Sequence, residues 1–120
     1  MMLNDIDTLH HNALGIAFLW KGQQTAERPK IQLVFRDTGL LLTKKELCTF
    51  YTEIEKTKGH GLPRPSCPQQ MDCRALLLET PMGQLTFAVS PNELQLLGEL
   101  VEGALFQLRL NGFLDEVLES

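Results

Sequence analysis

The 120-residue chain is 43% hydrophobic and 22% charged with a formal net charge of −4, which excludes a charge-dominated disordered chain and a membrane-embedded one. At this length one hydrophobic core suffices, so residues 1–120 read as a single domain. The charge is uneven, +2 over residues 1–74 and −6 over residues 75–120, and an acidic C-terminal part repels phosphate backbones, so nucleic acid is not an expected partner.

The N-terminal stretch MMLNDIDTLHHN places Asp5 and Asp7 where a secretory leader carries positive charge, and it lacks an apolar run followed by a small-residue cleavage site. A cytoplasmic location is expected. The three cysteines share no spacing that suggests a disulfide framework, in keeping with a reducing compartment. ALGIAFLW (13–20) is the longest apolar run and falls short of the ~18 residues that span a bilayer. It predicts a strand over 14–21 and no membrane partner.

KIQLVF (30–35), a turn at Asp37-Thr38-Gly39 and LLLT (40–43) predict a β-hairpin. Thr43 and Glu46 then form the S/T-x-x-E capping box, flanked by Leu42 and Leu47 as a hydrophobic staple. Leu47, Phe50, Tyr51 and Ile54 follow at helical spacing, so a helix over 44–57 is expected, stopped by KGHG. Residues 58–73 read as a loop rich in proline and glycine.

The same order returns. RALLLE (74–79), TPMG (80–83) and QLTFAV (84–89) predict a second hairpin, and Ser90 with Glu93 a second box, stapled by Val89 and Leu94. Pro91 stands at the first helical position, where a missing N–H costs nothing. Leu94, Leu97, Val101, Ala104 and Leu108 alternate steps of three and four, giving a helix over 91–110. Asn111-Gly112 offers a left-handed stop, and residues 111–120 form a C-terminal extension with Phe113, Leu114, Val117 and Leu118.

These elements predict an α+β fold: an antiparallel sheet of about five strands with two main helices on one face. It is read as two ββα units, 13–57 with an extra N-terminal strand and 74–110, related by internal duplication.

Candidate sites are few. His60, Cys67 and Cys73 are the only grouping with metal-ligand chemistry, but five residues separate the cysteines and no fourth ligand lies near, so no metal or other cofactor is expected. Lys44 and Lys45 sit in the first turn of the first helix, where free N–H groups and two ammonium groups could receive a small anion. The simpler reading is two solvated lysines beside Glu46. Lys21, Arg28, Lys30 and Arg36 surround the first hairpin near Trp20 and Phe35, a pattern that can bind single-stranded nucleic acid, although aromatic residues are scarce. No Ser/His/Asp order, phosphate-binding glycine loop or zinc-protease motif is present, so the chain reads as non-enzymatic.

The expected function is self-association, as a homodimer, or contact with a protein partner. The seam Leu94, Leu97, Val101, Ala104 and Leu108 has coiled-coil spacing, with Leu96, Leu100, Leu105, Phe113, Leu114 and Leu118 as a second apolar edge. In the alternative, the sheet takes the first edge and the first helix the second.

IQLVF leading into LLLTKKEL, followed by LLLETPMGQLTFAVSPNELQLLGELVEGALFQL, resembles the layout of a family of small bacterial proteins of unknown function. There a strand pair ending in L-[ST]-x-x-E-[FL] is followed by a second such segment and a leucine-rich helix. The resemblance covers roughly residues 14 to 110 and implies the fold, with no activity or functional residue attached.

Overall fold

The computed structural model describes residues 6–21, 30–60, 74 and 76–110, with the backbone alone for His60. Alternation of side chains builds the first sheet. On β3 (Lys30–Phe35), Ile31, Leu33 and Phe35 are buried, and on β4 (Thr38–Thr43) Leu40 and Leu42 are. β1 (Ile6–His11) and β2 (Gly15–Trp20) complete a four-stranded antiparallel meander in the order β1-β2-β3-β4.

After α1 (Lys44–His60) the chain forms β5 (Leu76–Glu79) and β6 (Thr86–Val89), an antiparallel pair that stands apart as its own two-stranded sheet, then α2 (Pro91–Leu110). The class is α+β, but in place of the expected single sheet of about five strands the described residues form two sheets with six strands. Two causes account for the difference. β1 was not foreseen, because IDTLHH has little apolar alternation: only Leu9 enters the core, at a bulge between Thr8 and His10. The β5–β6 hairpin satisfies its own ladder and buries Leu76, Leu78, Phe87 and Val89 on one face, with Phe87 edge-on to Phe35 at 5.1 Å. Alternation specifies which face is buried, not which edge pairs.

Both capping boxes form. The Glu46 amide donates to Thr43 Oγ1 (3.1 Å) while the Thr43 amide donates to Glu46 (2.9 Å), and Ser90 with Glu93 repeats the pair at 3.0 Å each way. Each such cap contributes about 1 kcal/mol. α1 runs through Gly59 to His60, three residues past the expected stop. Its last turn is held by packing, with Lys58 against Gly98 of α2 and ion-paired to Glu55 at 3.0 Å.

The helices lie side by side on one face of the sheet, α2 over β1 and β2 and α1 over β3, β4 and β5. Two glycines inside α2 allow the close approach. Gly98 faces Ile54 and Lys58 of α1, and Gly103 faces the His10 ring of β1, where a Cβ would collide with the imidazole. A glycine inside a helix costs about 1 kcal/mol relative to alanine, here offset by the contacts it permits. Among the described residues no helix is long and apolar enough to cross a membrane.

Candidate functional site

The α2 seam lies inside the chain's own core. Leu94 is 3% exposed and Leu97, Val101, Ala104 and Leu108 are fully covered, as is Leu100 of the second edge. The sheet and α1 have taken these residues, as in the alternative stated above, and the large apolar groups left open on α2 are Phe106 and Leu110. Charge or polarity at the seam would therefore act on folding before it acted on any partner.

Lys45 is exposed and Lys44 half-buried at the start of α1, beside the engaged Glu46. Lys21 pairs with Asp7 at 3.6 Å across exposed surface. Phe35 is a core residue, and Arg36 donates to Ala88 O and Glu93 in the second half of the chain. Arg28, Cys67 and Cys73 lie outside the described residues, as does the His60 side chain. Among the described residues no three His, Cys, Asp or Glu side chains are placed to hold a metal ion. Cys48 is half-buried, and burial pushes its thiol up, only partly opposed by Lys44, so it is not an activated nucleophile.

Two polar clusters were not legible in the sequence. In the first, Asn12 donates through Nδ2 to Leu96 O (2.8 Å) and Glu99 Oε1 (2.6 Å), while its Oδ1 accepts from the amides of Leu14 and Gly15. His10 Nε2 donates to the other oxygen of Glu99. Asn12 and then His10 hold the Glu99 carboxyl below its ordinary range. The groove beside this cluster is lined by Leu9, His10, Glu99, Glu102, Phe106 and others, without a hydroxyl or thiol. With Nε2 on Glu99 and its ring against Gly103, His10 clasps β1 to α2.

The second cluster centres on Glu93. Arg74 grips its carboxylate with two nitrogens at 2.9 to 3.1 Å, and Arg36 reaches it at 3.3 Å after donating to Ala88 O (3.0 Å) and crossing the Phe87 ring. Burial alone would push Glu93 up; the Arg74 hydrogen bonds, the Ser90 amide and the Arg36 charge outweigh it and hold the carboxyl down. The capping box pointed to Glu93 as a helix cap, but nothing local announced its arginine partners.

The helix-free face of the four-stranded sheet is the remaining feature. Ile16, Phe18 and Trp20 of β2, Gln32 and Val34 of β3 and Leu41 of β4 share it, since paired residues in the ladders point to one side. Phe18 and Trp20 pack edge to face at 5.1 Å, and the Trp20 indole donates to Gln32 Oε1 at 3.0 Å. Leu41, on the outer strand, is 46% exposed. Both helices meet the sheet on the opposite face, where Ala17, Leu19, Ile31 and Leu33 lie.

No protein-family model, curated protein or solved structure matches the chain.

Proposed function

We propose that the chain is a non-enzymatic module that associates with a second copy of itself through the part of its four-stranded sheet that the helices leave open. The observation that supports this reading is the division of apolar side chains between the two faces. The inner face is used up by α1 and α2; on the side that neither helix reaches Phe18 is buried and Ile16, Trp20 and Val34 are half-buried, which leaves Leu41 of the outer strand β4 open at 46% exposure. An outer strand open to water ordinarily carries polar or charged groups, so an exposed leucine on β4 calls for a cover. A cytoplasmic setting fits, because the free Cys48 thiol stays reduced there. The hairpin, cap and helix that occur twice fit an internal duplication whose second copy has shortened strands.

The test is mass in solution, by sedimentation equilibrium or light scattering over a wide concentration range. A mass rising toward twice the monomer is expected. A monomeric mass at every concentration rejects the reading.

A further inference from the structure

The two outer strands of the four-stranded sheet are built differently. β1 carries protections found on natural sheet edges: a bulge at Leu9, the titratable side chains of Asp7, His10 and His11, and the clasp of His10 to α2. β4 has none of them. TGLLLT contains no charge and no proline, its register with β3 is unbroken, and among the described residues β3 is its only ladder partner. A flat, uncharged, aliphatic edge of this kind is a template for another strand. Among the described residues β5 and β6 also pair on one side only, but at four residues each they are short, and β5 ends in Glu79.

The turn settles which backbone groups of β4 face outward. Phe35 and Thr38 close a two-residue turn, so they form the closely hydrogen-bonded pair, and pairs alternate from there along the ladder. Thr38, Leu40 and Leu42 bond to β3, while Gly39, Leu41 and Thr43 turn their N–H and C=O groups away from it. The Thr43 amide agrees, since it donates to Glu46 and not to β3.

We infer that β4 pairs antiparallel with β4 of a second copy about a two-fold axis at Leu41, joining two four-stranded sheets into one. This rests on the self-association proposed above and names its geometry. Charge selects the second copy as occupant. Asp37 stands just before the strand and Lys45 just after it, both exposed, and among the described residues neither is in an ion pair. Reversing one strand against the other brings Asp37 of each copy beside Lys45 of its mate, at both ends of the ladder. Pairing at Leu41 also keeps the faces in phase, with Leu40 and Leu42 on the core side of both copies and the two Leu41 side chains together on the outer side. A six-residue strand offers a small contact, so the dimer is weak and concentration-dependent.

Leu41→Pro tests the pairing directly. The Leu41 amide faces outward, so proline removes no hydrogen bond within the chain but blocks the ladder between chains. Leu41→Lys, which places a charge on the edge, covers the case in which proline disturbs the strand. Both variants are expected to stay monomeric at concentrations where the parent dimerises. Asp37→Lys and Lys45→Asp are each expected to weaken the dimer by up to about tenfold, the contact occurring twice, and the double swap to restore it. A dimer that survives both Leu41 variants, or one broken by Trp20→Ala alone, overturns the edge pairing and leaves self-association standing. A double swap that fails to restore affinity likewise overturns it. So does slow hydrogen exchange at the Leu41 amide under dilute conditions, which would mean that the chain covers its own edge. A parent that never dimerises rejects the broader reading and this one together.

Discussion

Arg36 donates to Glu93 across 57 positions of sequence, at 3.3 Å, where the β3–β4 turn touches the start of α2. Arg36 holds a φ of 55°, in the left-handed region that glycine normally supplies at such a turn. The strain, about 1 kcal/mol, is kept because the guanidinium at once reaches Ala88 O, the Phe87 ring and the carboxylate that caps α2. One side chain thereby ties the meander to the second hairpin and to the second helix.

Arg36→Gly and Arg36→Ala separate the two effects. Both lose the contacts, but only glycine relieves the backbone, so the alanine variant should be the less stable by about 1 kcal/mol in urea unfolding. Equal stabilities would mean that the turn is unstrained.

Glu93→Ala removes the reciprocal cap and both arginine contacts and should cost about 2 to 3 kcal/mol. Glu93→Gln, which can keep part of the cap, should cost less. Thermal unfolding of the two variants checks the order.

Acid should weaken the fold through the same residue. The folded-state carboxyl of Glu93 is held below its ordinary value of 4.5. Its contribution is therefore present above that value and is lost as pH falls through the lower folded one. Urea titrations from neutral pH down to about pH 3 should show a declining limb that is shallower in Glu93→Gln. An unchanged limb would assign the acid sensitivity to other carboxylates, Glu99 first among them.

The two glycines of α2 should respond differently to alanine. At Gly103 the new methyl meets the His10 ring, which is fixed by Glu99, so Gly103→Ala should destabilise by about 1 to 3 kcal/mol despite better helix propensity. His10→Ala in the same chain should recover much of that loss. At Gly98 the nearest atoms belong to the mobile end of Lys58, but Cγ2 of the buried Ile54 stands at 3.3 Å and must give by a few tenths of an ångström, so the gain in helix propensity is offset and Gly98→Ala should be near neutral. Unfolding midpoints of the three variants decide this.

Leu97→Ala should cost about 2 to 5 kcal/mol, the usual cost of emptying a fully buried leucine site, and Leu97→Glu should unfold the chain. Phe106→Ser, at a position 59% exposed, should change stability little. Circular dichroism with urea titration distinguishes them.

The parts of this protein readable from sequence were those governed by neighbours within four residues. Thr43 with Glu46 and Ser90 with Glu93 announced two helix starts, and the spacing of Leu94, Leu97, Val101, Ala104 and Leu108 announced a buried stripe, because capping and helical periodicity are local physics. What covers that stripe was not local: a dimer seam and a core seam have the same spacing, and only the placement of the sheet and α1 against α2 chose the core. IDTLHH became a strand through a bulge and a clasp whose partners, Glu99 and Gly103, lie some 90 residues away. The hairpin at β5 and β6 was foreseen, yet its exclusion from the meander was not, since alternation orients side chains and says nothing of which backbone edge is satisfied. Turn, cap and stripe were thus set by the chain's own short-range chemistry. Tertiary packing decided which apolar surface is core, which arginines hold Glu93 and which strands, among the described residues, stand at the ends of the four-stranded sheet, because each depends on the simultaneous position of elements far apart in sequence.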